Sequence, residues 1–328
     1  MPQFGRPTRL ATALARRTVL AAVAVLGLAL GVAAPPAVAA DHVLRLGVQK
    51  YGTLVILRER HTLEAALKPL GWTVQWNEFP GGPQLLEALN VGDLDFGTTG
   101  EAPPVFAQAA GAPLLYVGVE PPSPTGEAIL VPHDSPAKSV ADLKGKRVAL
   151  NKGSNVHFLL VQALKAAGLT PSDIEPVYLA PADARAAFER GAVDAWVIWD
   201  PFYAAGQAAT NARVLADGTG LAPNRQFFLA TRDFAAAQPA LLKLVLDQVL
   251  ATDRWAEAHP DETVAILLPT LKLPEAVVRT AVRRLSYGVG PMTPEAVADQ
   301  QRIADTFRDL KLIPVPVAIG DALWTPPS

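Results

Sequence analysis

The chain has 328 residues, enough for two domains of ordinary size, and half of them are apolar. It contains 29 basic and 31 acidic residues and no cysteine. The formal net charge of −2 disfavours binding to nucleic acid or to an anionic membrane surface. Without cysteine, the chain forms no disulfide, thiolate nucleophile or cysteine-ligated metal site.

An export signal is predicted at the amino terminus. Arg16 and Arg17 precede an apolar run over residues 19–34, and residues 37–39 (AVA) have the small-residue pattern of a cleavage site. The run is short and rich in alanine and glycine, which is weak for a membrane-spanning helix. We therefore expect cleavage of residues 1–40 and a periplasmic location, reached by the Sec or the twin-arginine route. Removing this segment, which holds four arginines and no acidic residue, changes the net charge from −2 to −6.

Strand and helix patterns alternate after this segment. Residues 43–49 alternate as a strand does, and a helix pattern over residues 53–70 is stopped by Gly71. Strands alternating with helices at this spacing indicate parallel β/α units. The pattern predicts further strands over residues 73–79, 94–98 and 114–119, and helices over residues 84–91 and 104–111.

A second run of β/α units follows, and the chain then becomes almost entirely helical. In the second run, strands are predicted over residues 147–150, 177–179, 195–199 and 211–215, with helices over residues 156–167, 182–190 and 201–209 between them. After another strand over residues 226–230, helices are predicted over residues 235–259, 261–268, 274–284 and 294–310.

Two connected runs of this kind predict a two-lobed α/β fold, with a mostly parallel sheet flanked by helices in each lobe. Residues 41–128 and 226–328 are expected to form lobe I, and residues 129–225 to form an inserted lobe II. Two crossings, near residues 127–131 and 221–229, are expected to act as hinges. The carboxyl ends of the parallel strands would then face a cleft between the lobes.

The loop at residues 151–157 is the strongest candidate for a ligand site. Its turn, KGSN, lies between an apolar strand and a predicted helix, and a helix start presents unpaired N–H groups and the positive end of its dipole. Such a turn suits a compact oxyanion, and neither nucleotide-binding glycine motif is present. Ser154, Asn155 and His157 are therefore candidate ligand residues. The alternative roles are an N-cap for Ser154 and a structural hydrogen bond for His157.

Two loops of the first run are further candidates. Gln49 follows the first strand and can donate two hydrogen bonds from its side-chain amide. Thr99, Gly100 and Glu101 follow the third strand and lead into prolines suited to a helix start. Hydroxyl groups beside a helix start donate to anions, although threonine is also an ordinary N-cap. We expect both loops to contact the ligand.

The end of the strand over residues 195–199 supplies an indole and a carboxylate. Trp199 could cover an apolar ligand tail. Asp200 could cap the helix that begins near Pro201 or form a salt bridge across the cleft. Arg185 and Glu120 are weaker candidates for the rim of the cleft.

Catalytic and metal sites find no support in the sequence. There is no G-x-S-x-G and no H-E-x-x-H motif, and the five histidines are scattered without a companion at metal-ligand spacing. We therefore predict no catalytic residue, no metal and no cofactor.

Three long stretches, residues 78–122, 140–169 and 179–205, resemble the aliphatic sulfonate-binding proteins that serve ABC importers. That family lies within a wider group for taurine, nitrate and thiamine precursors, and the resemblance covers roughly residues 43–324. It implies a two-lobed type II periplasmic-binding fold without enzymatic activity. It also implies that a sulfonate sits in the cleft on helix starts and hydroxyls.

The resemblance is carried onto this chain position by position. Tyr51 is a departure in the first loop that would change what the pocket admits, and Asn155-Val156 stands where small hydroxyl residues are common. The matching positions are Gln49, Thr99, Gly100, Ser154, Asn155, His157, Trp199 and Asp200.

The implied partners are an organosulfonate anion and an ABC transporter permease, and a monomer is expected. Taurine-type, alkanesulfonate, sulfate-ester and aromatic sulfonate ligands remain open. So do receptors for nitrate, an aromatic carboxylate or a thiamine precursor, and an enzyme on the same scaffold.

Overall fold

The structure, a computed structural model, describes residues 42–50 and 52–326. The predicted export signal and Tyr51 lie outside the described residues. The described strands are β1 (His42–Val48), β2 (Trp72–Glu78), β3 (Phe96–Gly100), β4 (Leu114–Val119), β5 (Glu127–Val131), β6 (Arg147–Leu150), β7 (Glu175–Tyr178), β8 (Ala195–Trp199), β9 (Arg213–Asp217) and β10 (Gln226–Thr231).

Helices lie between most of the strands and form the carboxyl-terminal part of the chain. The described α-helices are α1 (Thr53–Arg60), α2 (Thr62–Leu67), α3 (Gly82–Asn90), α4 (Ala102–Ala109), α5 (Asn155–Ala166), α6 (Pro181–Glu189), α7 (Phe202–Thr210), α8 (Arg232–Ala237), α9 (Pro239–Ala258), α10 (Pro260–Leu271), α11 (Glu275–Val282) and α12 (Pro294–Asp309).

The strands form two five-stranded sheets with equivalent strand orders, β2-β1-β3-β10-β4 and β7-β6-β8-β5-β9. In each sheet four strands run in the same direction and one is antiparallel, β10 in the first sheet and β5 in the second. The predicted α/β architecture with two mostly parallel sheets is confirmed. The lobe boundaries after residues 128 and 225 stay a prediction.

The two antiparallel strands are the first strands after each passage between the sheets. The chain leaves the first sheet after β4 and enters the second at β5, and it leaves β9 to return at β10. β10 pairs with β3, and β5 pairs with β8. Each passage is therefore hydrogen-bonded directly to a strand whose carboxyl end carries candidate ligand residues.

Two predicted long helices are each divided in the structure. The helix expected over residues 53–70 ends at Arg60, because His61 adopts a left-handed conformation (φ 54°) before α2. This change of direction lets α2 bury Leu63 and Leu67. The helix expected over residues 235–259 is interrupted at Gln238, because the residue before a proline avoids the helical region. Pro239 then begins α9, the position that proline favours.

Helix α12 joins the two halves of the apolar core. Its Phe307 is fully buried, 4.8 Å from the Phe106 ring of α4 and 6.1 Å from the Phe158 ring of α5, measured between centroids. The same hydrophobic cluster contains residues of both sheets, such as Tyr116 and Val197. Removal of a buried aromatic side chain lowers the free energy of unfolding by ~3–5 kcal/mol. Phe307 is therefore a principal contact between the two halves of the core.

Candidate functional site

A small cavity lies where the carboxyl ends of the two sheets meet. Its volume is about 30 Å³, far below the ~300–1,000 Å³ of pockets that enclose whole drug-sized molecules. It therefore suits a compact head group. Its described lining residues are Gln49, Gly82, Gly100, Pro103, Ser154, Asn155, Trp199, Asn224 and Gln226.

Three helix starts border this cavity. Gly82 is the first residue of α3, Gly100 ends the strand just before α4, and Ser154 is the N-cap residue of α5. The first N–H groups of a helix have no partner within the helix, and the dipole places a partial positive charge there. None of the described lining residues carries a formal charge, so the cavity offers dipoles and neutral amides.

The loop before α5 is held by its own side chains. Ser154 donates its hydroxyl to the Asn151 carbonyl (2.7 Å) and makes no side-chain cap bond to the helix. His157 is buried behind the loop, where its Nδ1 accepts the Gly153 N–H (3.2 Å). Burial, together with the nearby Lys152 ammonium, lowers the pKa of His157 to about 4. His157 is therefore a neutral acceptor that fixes the loop, in agreement with its alternative role, and it does not line the cavity.

The side chain of Asn155, at the start of α5, reaches from the second-sheet side of the cavity to the first-sheet side. Its Nδ2 donates to Oδ1 of Asn224 (2.7 Å), and Asn224 in turn donates to the Ser123 carbonyl (2.8 Å). The Asn155 side chain also lies against Gly100, where a Cβ atom would stand 2.0 Å from the Asn155 amide. Gly100 is required here because no side chain fits between the two halves.

Of the candidate ligand residues in or next to the first sheet, some line the cavity and others lie behind its wall. Gln49 lines the cavity, and its amide donates to the Thr98 carbonyl (3.2 Å). Thr99 is fully buried behind the wall, and its hydroxyl donates to the Gly100 carbonyl. Glu101 is buried as well, and its Oε2 accepts the Arg225 N–H (3.1 Å). Thr99 and Glu101 support the wall from behind rather than form it.

Trp199 lines the cavity, whereas Asp200 lies beneath it. Asp200 is fully buried and accepts both the Ala204 N–H in the first turn of α7 (3.0 Å) and the Arg284 guanidinium (3.2 Å). Burial raises the pKa of Asp200 to about 6, against the opposing effect of Arg284. Both predicted alternatives for Asp200 are thus observed together, and the carboxylate is fully occupied by protein donors.

A larger chamber of about 560 Å³ adjoins the small cavity. The two share Gln49 and Trp199. Most of the chamber wall is apolar, supplied by Phe79, Pro181, Phe202, Leu271 and Leu273 among others. The site therefore has a polar inner part for a head group and an apolar outer part for a longer tail.

Charged side chains occur around the outer chamber. Lys50, Glu78, Arg185 and Lys272 line it, and two of them form an ion pair, Lys50 with Glu78 at 3.6 Å. Arg185, a weaker candidate, lines this chamber but pairs with Glu189 on its own helix (2.6 Å). Glu120, also a weaker candidate, is buried elsewhere and accepts the Thr53 hydroxyl.

Four residues of the inner cavity wall are not among the ligand residues predicted from the sequence. Gly82 and Pro103 lie in the predicted turn and helix start, so their contribution follows once α3 and α4 are known to converge. Asn224 and Gln226 come from the return passage, which sequence patterns place only as a crossing. Asn224 is the one residue of the four whose type gives a local signal, because asparagine tolerates a positive φ. The structure has a φ of 49° at this position.

Metal and membrane features were also sought in the described residues. Residues 42–50 and 52–326 contain no group of three or more histidine, aspartate or glutamate side chains placed to hold a metal ion. No helix within the same residues has the length and hydrophobicity needed to cross a membrane.

Known proteins are similar to this chain over most of its length. The NMT1/THI5-like family model matches residues 71–263. An Escherichia coli (strain K12) protein named for aliphatic sulfonate binding is 46% identical over 284 residues, which are 86% of this chain and 89% of that protein.

Two solved structures agree with this chain in both sequence and fold. One is the periplasmic aliphatic sulphonate binding protein SsuA from Escherichia coli, with 45% identity, a TM-score of 0.80 and coverage of 88% of this chain and 94% of that chain. The other is the alkanesulfonate-binding protein SsuA from Xanthomonas axonopodis pv. citri bound to MOPS, with 44% identity, a TM-score of 0.82 and coverage of 87% and 99%. These relatives are named as binding proteins.

Proposed function

This chain belongs to the NMT1/THI5-like family, among its aliphatic sulfonate-binding proteins, and we propose that it is the substrate-binding component of an ABC importer for organosulfonates. In this role it captures an alkanesulfonate-type anion between its two lobes and delivers it to the permease. The ligands in the names of these relatives, aliphatic sulfonates and MOPS, support this substrate class.

The observation that carries the proposal is the convergence of three helix starts on one uncharged cavity. A sulfonate spreads one negative charge over three oxygens, which matches several dipoles better than one counter-ion. Hydrogen bonds to a charged group contribute ~1.5–3 kcal/mol each. Three or four of them reach the ~8 kcal/mol of a micromolar receptor, before the cost of ordering the lobes is subtracted.

The outer chamber supports an organic sulfonate rather than an inorganic anion. Nitrate or sulfate would fill only the inner cavity and leave the apolar walls around Phe79 and Phe202 unused. A tail that leaves the head group beside Trp199 would enter this chamber and bury apolar surface there. Each methylene group buried in this way contributes ~0.8 kcal/mol.

The site residues follow from the same division of space. Gln49, Gly100, Ser154 and Asn155 surround the head group, and Trp199 separates the head group from the tail. Tyr51, two residues after Gln49 in sequence, is proposed to limit which ligands enter. Supporting residues are Thr99, Glu101, His157 and Asp200, which hold the wall from behind.

The partner, location and activity belong to the same proposal. The protein acts in the periplasm as a monomer after removal of residues 1–40, and its membrane partner is the permease of an ABC transporter. Domain closure over the ligand is the movement by which such receptors report occupancy. The protein is a receptor and carries out no reaction on its ligand.

A binding screen tests the proposal. Purified mature protein is titrated by calorimetry with methanesulfonate, hexanesulfonate, MOPS and taurine, and in parallel with hexanoate, benzoate, hexyl sulfate, sulfate, nitrate and a thiamine precursor. We expect the tightest binding for a sulfonate with a tail. Binding of carboxylates alone would overturn the sulfonate assignment, and a chemically changed ligand recovered after incubation would support an enzyme instead.

A variant pair localises the site. Ser154→Ala with Asn155→Ala should weaken hexanesulfonate binding at least about tenfold, equivalent to ~1.4 kcal/mol. The matched control is Ser172→Ala with Gln75→Ala, two exposed positions that do not line the cavity. Unchanged sulfonate affinity in the first pair would place the site elsewhere.

A further inference from the structure

Two buried glutamates lie directly behind the inner cavity. Glu101 follows the cavity residue Gly100 in sequence, and Glu127 is paired across the β5–β8 ladder with the cavity residue Trp199. Their exposed fractions are 1% and 0%. Glu101 precedes α4 on the first-sheet side, whereas Glu127 begins β5 at the passage into the second sheet.

These carboxyl groups have too few donors for two negative charges. Oε2 of Glu101 accepts the Arg225 N–H, but its Oε1 and both oxygens of Glu127 have no hydrogen-bond partner among the described residues. An unpaired buried carboxylate is strongly disfavoured, so such a group takes up a proton instead. A protonated carboxyl group can also donate a hydrogen bond, which a carboxylate cannot.

The charged groups around Glu101 do not remove this shortage. Arg225 directs its side chain to Glu295 and Asp299, and Arg302 is paired with Asp299. Tyr116 lies nearby through Gln300, whose amide contacts both the Glu101 carbonyl and the Tyr116 hydroxyl. Burial dominates, and it raises the pKa of Glu101 to about 8.

The elements packed against Glu127 supply no positive charge that is directed at it. Arg284, whose backbone carbonyl lies close to Gly126, directs its guanidinium to Asp200. The neighbouring strand and helices also carry Asp217 on β9, Tyr203 on α7 and His157 on α5. Their cations are Arg213 on β9, which donates to the His133, Ser135 and Ala137 carbonyls, and Lys165 in the last turn of α5. Burial and the charge of Glu101 raise the pKa of Glu127 well above its ordinary value.

We propose that Glu101 and Glu127 form a proton-holding pair behind the anion site, and that the protein binds its sulfonate in the state in which this pair is protonated. The inference rests on the proposed function, since it requires an anion in the inner cavity. Loss of a proton from the pair places a negative charge beside that anion in a region of low dielectric, where repulsion is strong. Sulfonate binding is therefore linked to proton uptake, and alkaline conditions favour release.

The direction of the effect follows from linkage. Below a pH of about 8 Glu101 already holds its proton, so its titration leaves the sulfonate affinity independent of pH there. Above it the free protein loses a proton that the complex retains, and the dissociation constant rises up to about tenfold per pH unit. A sulfonate is ionised throughout this range, so the ligand itself contributes no titration.

The experiment measures hexanesulfonate affinity by calorimetry between pH 6 and about 9.5. The buffers are amines without a sulfonate group, such as imidazole, triethanolamine, Tris and ethanolamine, because sulfonate buffers are themselves expected ligands. We expect constant affinity up to about pH 7.5 and at least about a tenfold loss by pH 9.5. At about pH 8.5 the measured heat should also depend on the ionisation enthalpy of the buffer, with net proton uptake on binding.

Three variants identify the groups responsible. Glu127→Gln and Glu101→Gln should each flatten the pH dependence of the hexanesulfonate affinity. Asp253→Asn is the control, because Asp253 is also a buried acid with a raised pKa, but it contacts Thr53, Gly288 and Val289, none of which lines the cavity. This control should retain the wild-type pH dependence.

The outcomes separate this inference from the proposed function. If no sulfonate binds at any pH, the proposed function fails. If sulfonate binds with an affinity independent of pH and with no buffer-dependent heat, only the proton-holding pair is overturned. That result needs no variant, so it stands even if a substitution at Glu127 prevents folding. A pH dependence equal to that of the wild type in both glutamine variants would also overturn the inference.

Discussion

The Asn155 amide donates a 2.7 Å hydrogen bond to the Asn224 side chain, and this contact joins the start of α5 to the return passage between the sheets. Both side chains are buried and both line the inner cavity. An anion in that cavity would therefore contact two residues that already connect the two halves. In the proposed receptor, binding and lobe closure would share the same polar contact.

Removal of this hydrogen bond should show how much it contributes to the stability of the fold. We expect Asn155→Ala and Asn224→Ala each to lower the free energy of unfolding by ~1–2 kcal/mol, because each leaves a buried polar partner unpaired. The double variant should cost less than the sum of the two, as coupled neighbours do. Urea unfolding of the four proteins checks this. Strict additivity would show that the two amides do not act as a pair.

The close approach at Gly100 gives a prediction about binding. Gly100→Ala should weaken hexanesulfonate binding at least about tenfold, or ~1.4 kcal/mol, because the new methyl group displaces the Asn155 amide. Calorimetry of the variant measures the loss. Gly320→Ala is the control, since a Cβ there meets no atom within 4 Å. Wild-type affinity in Gly100→Ala would mean that the two halves do not close at this point.

Trp199 should control the contribution of the ligand tail. Trp199→Ala is expected to weaken octanesulfonate binding much more than methanesulfonate binding, because only the longer ligand reaches the outer chamber. In the wild type, affinity should rise with chain length by up to ~0.8 kcal/mol per buried methylene group, and this slope should fall in the variant. Titration with the one-, four- and eight-carbon sulfonates provides the measurement. An equal loss for all three would assign Trp199 to the head group.

His157 should make the fold sensitive to mild acid. Its pKa is lowered to about 4 by burial and by Lys152, so protons bind the unfolded chain more readily between pH 6.5 and 4. The stability that neutral His157 contributes is complete above pH 6.5 and is lost progressively as the pH falls to 4, about 3 kcal/mol in all. His157→Asn should reduce this acid-dependent loss, measured by urea unfolding at pH 7 and 4.5. The exposed His133→Asn is the control, and an identical loss in both variants would contradict the prediction.

Arg284 should matter more at alkaline than at acidic pH. The pKa of buried Asp200 is raised to about 6 even beside Arg284, so Asp200 is mostly neutral at pH 5 and ionised at pH 8. Arg284→Gln leaves that charge uncompensated and should cost ~3 kcal/mol of unfolding free energy at pH 8, and clearly less at pH 5. Chemical unfolding at the two pH values tests this. Arg283→Gln, at the exposed neighbouring position, should show little effect at either pH.

Local patterns were sufficient for most of the fold. The strand over Leu114–Val119 has the predicted bounds because its six uncharged residues form one continuous run between turns, which fits a fully buried strand. The long helix pattern after Thr53 was misleading, because five consecutive buried residues, Thr53–Leu57, give no period to mark its end at His61. The equivalent orders of the two sheets come from pairing over long sequence distances and leave no repeat in the sequence.

The candidate site was predictable only where one loop carries the signal. Ser154 and Asn155 stand in a polar turn before a helix, and this local arrangement indicates an anion site by itself. Asn224 and Gln226 reach the cavity through the return passage, so their contribution depends on tertiary packing. For Glu101 and Asp200 the sequence shows that a carboxylate follows each strand, but whether that carboxylate faces the ligand or lies behind the wall depends on burial.

In the proposed two-lobed receptor, the pairing of β10 with β3 and of β5 with β8 would place both predicted hinges a single strand away from the ligand. A rotation about an axis this close to the ligand moves atoms beside the ligand much less than atoms far from the axis. A displacement of a fraction of an ångström at the head group is then magnified towards the distant rims of the molecule. A transporter that touches only those rims can distinguish a loaded receptor from an empty one without any contact with the cargo.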